Sequence, residues 1–211
     1  MKEKEILKDY LPENSLDQVM KWIVQKNVHL KITRSRSSKL GDYRPPVAHP
    51  VHRISINHNL NPYSFLITFV HELAHLIVWE NHNNLVSPHG TEWKSEYRKL
   101  MEIILTKNIF PSDLLKALRI SIKNSKASSS SDLNLSRVLK KYDRQADGVH
   151  LEDLPENVIF QTETGIRFIK GKKRRTRYLC QNMQNKKQYL FHPLTPVNEI
   201  SLPECETLGR V

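Results

Sequence analysis

The sequence predicts an α+β protein, with a small sheet and several helices in the first part of the chain and a small antiparallel β unit in the last. Three observations predict it. Apolar residues alternate with period two at two places before residue 60, an apolar helical run occupies about 62 to 79, and short strand-like segments rich in Lys and Arg fill about 158 to 197. A length of 211 residues accommodates one well-cored domain and an appendage, at ~100–200 residues per domain. The content of 38% hydrophobic and 26% charged residues is a globular balance rather than that of a disordered or membrane chain.

Behind Ser15, a good N-cap, Leu16, Val19, Met20, Ile23 and Val24 recur at helical spacing and predict an amphipathic helix. From Val28 the period changes to two: Val28, Leu30 and Ile32 share one face, with His29 and Lys31 on the other, so a strand follows. Gly41-Asp42 reads as a turn, Pro45-Pro46 as a loop, and Ile54 and Ile56 alternating with Ser55 and Asn57 as a second strand, expected near a sheet edge. Asn61-Pro62 opens the long helix, because the Asn side chain can cap and proline lacks only an N–H that the first helical position does not need. Asn81, Asn83 and Asn84 should end it.

Ser87-Pro88 prepares a helix in which Trp93, Tyr97, Leu100, Met101 and Ile104 form an apolar stripe, and Leu114, Leu115 and Leu118 predict another after Pro111. The Ser- and Lys-rich stretch from Ser121 to Ser131 reads as a linker, followed by a short helix around Leu135 to Tyr142. The expected organisation is therefore a first domain over 1–120, a linker with a short helix over 121–150 and a basic β unit over 151–211.

That last unit should contain four strand-like runs separated by Gly165, Gly171 and Asn185. Between Thr164 and His192 it carries nine Lys or Arg and no acidic residue. Arg167, Lys170, Lys172, Lys173, Arg174, Arg175 and Arg177 are the candidate nucleic-acid contacts, and Phe168, Tyr178, Tyr189 and Phe191 are interleaved with the charges in a way that suits base stacking. The whole chain has 33 Lys and Arg against 22 Asp and Glu, a formal +11, and such an excess favours polyanionic partners such as DNA.

The two cysteines, Cys180 and Cys205, form no Cys-x-x-Cys pair, which excludes a disulfide framework or a four-cysteine zinc site. Cys180 reads as a small core residue in a strand. No apolar run approaches the ~20 residues that span a bilayer, and the charged Met1-Lys2-Glu3-Lys4-Glu5 start does not resemble a secretory signal. A cytoplasmic location is expected, with nucleoid association if the protein binds DNA.

The chemistry concentrates in His71-Glu72-Leu73-Ala74-His75. Four residues apart on a helix, His71 and His75 point the same way and can hold one metal ion, with Glu72 beside it. The surrounding run is hydrocarbon, and burying two imidazoles and a carboxylate there without partners would be costly. A bound zinc accounts for all three.

A zinc hydrolase needs a third ligand from elsewhere in the chain. A third His ten residues after the first is absent, since Val78 and Asn81 stand where that pattern requires Gly and His. Glu96, twenty-one positions after His75, is a candidate on the next helix, and Glu92 is a weaker one. His82, His49, His52 and His58 read as surface or supporting residues.

With His89-Gly90-Thr91-Glu92-Trp93 following the His-Glu-x-x-His helix, the chain resembles the SprT-like family of zinc metalloproteases. Leu40-Gly41-Asp42-Tyr43, Ile54-Ser55-Ile56-Asn57 and Leu60-Asn61-Pro62 extend the likeness over roughly residues 10 to 105. The resemblance implies a minimal zincin-type domain with one catalytic Zn2+, His71, His75 and His89 as ligands and Glu72 as base. It also implies cleavage of proteins on or near DNA. Many members carry a C-terminal zinc ribbon, but the cysteine pairs are missing here, so the basic unit resembles a ribbon without its metal. The alternative is a nucleic-acid-binding or transcription-associated factor with a mainly structural zinc. Glu72 argues against it, because a structural site has no use for a base.

Overall fold

The computed structural model describes residues 2–36, 38–47, 49–123, 132–143 and 148–200. The chain divides into two compact units, 1–144 and 145–211. Both α and β elements occur in the first, and the second is an antiparallel sheet with little helix. No helix among the described residues is long and apolar enough to cross a membrane.

The first unit opens with α1 (Lys2–Lys8) and α2 (Leu16–Gln25). Its stripe turns a little from the expected one. Trp22 joins Leu16 and Val19 in the core, while Val24 is 75% exposed. Strands β1 (Val28–Thr33), β2 (Gly41–Arg44) and β3 (His52–Asn57) form a sheet of order β1-β3-β2. β1 runs parallel to β3, and β2 runs antiparallel to it.

Two expectations change here. Ile54 to Asn57 lies on the central strand, so the edges belong to β1 and β2. Gly41-Asp42 begins a strand instead of making a turn. The glycine is needed for a different reason: a Cβ at Gly41 would fall 2.6 Å from Glu72 Oε1 and from Thr68 Cγ2. Buried Asn57 shapes the approach to β2, donating from Nδ2 to the carbonyls of Arg36 and Lys39 while its backbone N–H donates to Leu40 O.

Against the sheet lies α3 (Pro62–His82), whose Asn61 cap accepts a hydrogen bond from the Ser64 N–H at 2.9 Å. Phe65, Leu66, Phe69, Val70, Leu73 and Leu76 are fully enclosed, and each such side chain contributes on the order of 1.5–3 kcal/mol by leaving water. The helix runs past Asn81 and stops at Asn83, which takes φ +50° and returns its N–H to Trp79 O. α4 (Thr91–Leu105) buries Trp93, Leu100, Met101 and Ile104, and α5 (Ser112–Lys123) buries Leu114 and Leu118.

The short helix α6 (Leu133–Lys140) belongs to the first unit rather than to a linker. Leu135 and Leu139 enter its core, and Asn61 Nδ2 donates to Leu139 O at 2.9 Å and Asp143 Oδ1 at 2.6 Å. The unit therefore extends to 144, beyond the expected limit of 120. Residues 124–131 of the Ser- and Lys-rich stretch lie outside the described residues.

In the second unit, β4 (Ile159–Gln161), β5 (Arg167–Arg174), β6 (Arg177–Asn182), β7 (Gln188–Phe191) and β8 (Asn198–Glu199) pair in the order β7-β6-β5-β4-β8. Leu151, Leu154, Phe160, Phe168, Cys180 and Val197 make its core. Gly171 is not a separator. It sits inside β5, where the register with β6 shifts between Lys170 and Lys173, and a Cβ there would collide with Leu179 O. Glycine at a bulge allows that close approach.

Candidate metal centre

Three nitrogens converge between α3 and the start of α4. His71 and His75 stand one turn apart on α3, and their Nε2 atoms are 3.2 Å apart. His89 Nε2 lies 3.1 Å from that of His71 and 3.0 Å from that of His75. The third imidazole is aimed by the loop. His89 has φ +60°, Gly90 N–H donates to Ser87 O at 3.0 Å, and a Cβ on Gly90 would approach that same oxygen to 2.9 Å. The His-Gly pair thus combines a left-handed residue with one whose missing side chain lets the turn close.

Hydrogen bonding alone cannot satisfy this triangle. Each Nε2 of a neutral imidazole is either a donor or an acceptor, so among three facing nitrogens at least two carry the same role and repel. Protonation is disfavoured as well. Burial holds His71 down at about 3 and His75 at about 4, with mutual repulsion among the rings adding to the effect, and burial also lowers His89. A cation at the centre would receive all three lone pairs. Tetrahedral zinc with Zn–N bonds of ~2.0–2.1 Å would separate its nitrogen ligands by about 3.3 Å, close to what these rings present. The imidazoles remain partly accessible, which leaves room for another ligand.

Trp93 forms the floor of the site. Its ring centroid lies 4.6, 5.4 and 4.8 Å from those of His71, His75 and His89, and Tyr97 stacks on it at 4.9 Å and 11°. The apolar stripe marked Trp93 as a core residue; only the fold reveals that it braces all three imidazoles. Its indole nitrogen is buried with no hydrogen-bond partner among the described residues.

Glu72 is 7% exposed and lies against β2, accepting a hydrogen bond from the Tyr43 N–H. Burial and then the charge of Asp42 push its carboxyl up to about 7, opposed by the Tyr43 bond and by Arg36 and Lys39. Tyr43 is held by a second contact, from its hydroxyl to His52 Nδ1 at 2.9 Å. His52 in turn stands 3.7 Å from Glu80, which accepts from Lys26 at 2.6 Å. His52 is thus a support for β2, not part of the triangle.

Glu96 and Glu92 are outside the nitrogen cluster. Glu96 accepts from Lys99 Nζ at 2.7 Å, and Glu92 lies beside Gly90. Among the described residues the group able to hold a metal is His71, His75 and His89.

In the second unit the candidate nucleic-acid residues separate into two sets. Arg167, Lys172, Lys173, Arg174, Arg175 and Arg177 are exposed along β5, its turn and β6. Lys170 is a correction: it is 2% exposed, donates from Nζ to Leu154 O and to Glu152 O at 3.4 Å, and lies 4.2 Å from the Tyr178 ring centroid. Phe168 is also internal, packing on Phe160 and Phe191 rather than offering a face to a base. Tyr189 is 41% exposed.

A family model described as the SprT-like family matches residues 9–124. Comparison with curated proteins and with solved structures returned no significant match.

Proposed function

Since the chain belongs to the SprT-like family, we propose that it is a zinc-dependent peptidase of the minimal zincin type, acting on proteins on or near DNA. The observation that carries the reading is the pairing of three converging neutral imidazoles with a buried carboxylate, Glu72, on the same helix.

His71, His75 and His89 would hold zinc through Nε2, a donor set that suits this metal. The ion would supply Lewis acidity toward a scissile carbonyl and a lowered pKa for water at its open position. Glu72 accepts the proton from the attacking water and delivers it to the leaving nitrogen. Gly41 and the Tyr43 N–H hold the carboxylate in place against β2. As a short edge strand beside the base, β2 can pair with an extended substrate backbone by β-addition. The exposed Arg and Lys residues of the second unit would keep the peptidase near DNA through phosphate contacts.

The decisive variant is Glu72→Gln. It should retain about one zinc per chain while hydrolysis of a denatured protein falls by about 10²–10⁴, the range for loss of a general base. Undiminished turnover would assign the base elsewhere, and loss of zinc would turn the variant into a test of folding alone. Metal analysis and peptide release are therefore measured on the same sample.

A further inference from the structure

The face of the β1-β3-β2 sheet opposite α3 is cationic. Alternation along the strands sends Ile54 and Ile56 into the core and Arg53 and Ser55 to the other side. The register places His29, Arg53 and Arg44 side by side, one from each strand, and Lys31, Ser55 and Asp42 in the next row. Together with Arg36 they line a cleft of about 500 Å³.

The charges in this cleft are not balanced by the protein itself. Arg44 is directly opposite Arg53 across β2 and β3, and like charges in that relation repel. Asp42, the acidic residue of the lining, already accepts from Lys39 Nζ at 2.7 Å and Arg44 Nε at 2.9 Å. Arg36 donates to Asn57 Oδ1 at 2.8 Å and Ser55 Oγ at 3.1 Å. Arg53 has no such arrangement: its Nε is buried with no hydrogen-bond partner among the described residues. A desolvated guanidinium N–H on the central strand, beside a second guanidinium and one row from an exposed ammonium, lacks only an anion.

We propose that this cleft binds backbone phosphates of single-stranded nucleic acid, with Arg53 and Lys31 as the principal contacts. A guanidinium fork can take two oxygens of one phosphate. Successive rows are about 6.6–6.8 Å apart and neighbouring strands about 4.8 Å, so Arg53 on β3 and Lys31 one row further on β1 stand roughly 8 Å apart, and two such long side chains can engage neighbouring phosphates of an extended strand. The phosphate charges of such a strand are fixed on its backbone, whereas the carboxylates of an acidic polypeptide sit at the ends of flexible side chains whose ordering costs entropy, which favours the nucleic-acid strand. Among the described residues the lining has no Phe, Tyr or Trp for stacking, and phosphate contacts carry no sequence information, so binding should not depend on base sequence. The inference rests on the reading that the protein works on nucleic acid and adds a contact on the peptidase unit itself, separate from the basic strands of residues 167–177.

Two variants of the full chain test it by fluorescence anisotropy with a labelled oligothymidylate over a range of salt. The first combines Lys31→Gln and Arg53→Gln; the second changes Lys172, Lys173, Arg174 and Arg175 to Ser. The first should weaken binding severalfold and reduce the log–log salt slope by roughly 0.7 for each lost contact, with zinc content unchanged. If it binds like the unaltered protein while the second variant is impaired, the cleft is not a site and the role of residues 167–177 stands. If neither variant differs from the unaltered protein, both assignments fall. Should the first variant not fold, lysine acetylation of the unaltered protein decides the matter. Oligothymidylate should shield Lys31 severalfold and polyglutamate should not; no shielding, or equal shielding by polyglutamate, overturns the proposal.

Discussion

The two units bury polar nitrogen in opposite ways. In the first, three neutral imidazoles surround a point that a cation would satisfy. In the second, Lys170 brings an amine of its own into the core, where Leu154 O, Glu152 O and the Tyr178 ring receive it. The first arrangement would tie structure to something bound from outside. The second is satisfied by the chain's own carbonyls and a ring, within a sheet held by antiparallel pairing. The difference teaches that buried nitrogen has two distinct uses here: converging lone pairs leave chemistry accessible, whereas an amine aimed at carbonyls locks a strand against a loop.

Metal removal should break this comparison most sharply. Chelation should abolish peptide hydrolysis and loosen α3 and α4, because anything bound to the folded state alone stabilises it. A metal at 100 to 1,000 times its dissociation constant contributes about 2.7–4.1 kcal/mol. The amides of β5 and β6 should keep their hydrogen-exchange protection. Equal loss of protection in both units would mean that the second also depends on metal.

A narrower effect is expected from individual side chains around the imidazoles. His89→Ala should weaken zinc binding by more than the ~10–100-fold typical of residues that only support a ligand. Glu96→Ala should leave it unchanged, since that carboxylate pairs with Lys99. Zinc competition with a chromogenic chelator measures both. The reverse result would move the third ligand from the loop to α4.

These residues also show what can be read from a sequence and what cannot. His71, Glu72 and His75 were legible because helical spacing alone puts the two imidazoles on one side of one element. His89 required a resemblance, as no local rule says where a loop with φ +60° will aim a ring. Gly41 reads as a turn residue in the sequence because a turn and a close approach both call for glycine, and the approach of Glu72 is a tertiary fact. Val24 fitted the helical period, yet Trp22 took the place in the core. Asn61 announced its cap but not its second task of tying down α6. In the sequence Lys170 reads with its neighbours as a run of charge. Period-two alternation carried the missing signal: Phe168 and Lys170 share the inward face of β5, and the bulge at Gly171 comes before Lys172, Lys173 and Arg174 turn outward.

The smallest expected effect concerns Lys170 itself. Lys170→Met keeps most of the side-chain volume but leaves the Leu154 and Glu152 carbonyls without this donor. It should cost the second unit about 1–3 kcal/mol, the usual penalty for buried groups left unpaired. The first unit's zinc content should not change. The effect should also vary with pH. Burial lowers the pKa of Lys170 from 10.5, although Cys180 and nearby acidic residues pull it upward. At any pH between the lowered value and 10.5 the unfolded chain holds more proton on this lysine than the folded one does, so the group's contribution to stability rises with pH across that window. Below the folded value both states are protonated and the contribution is flat. Hydrogen exchange of the β5 and β6 amides, corrected for intrinsic rates, should therefore show the protein gaining protection relative to Lys170→Met as pH is raised from neutrality toward 10. Parallel pH profiles would mean that the ammonium stays charged throughout, held by its carbonyls and the Tyr178 ring against the pull of burial.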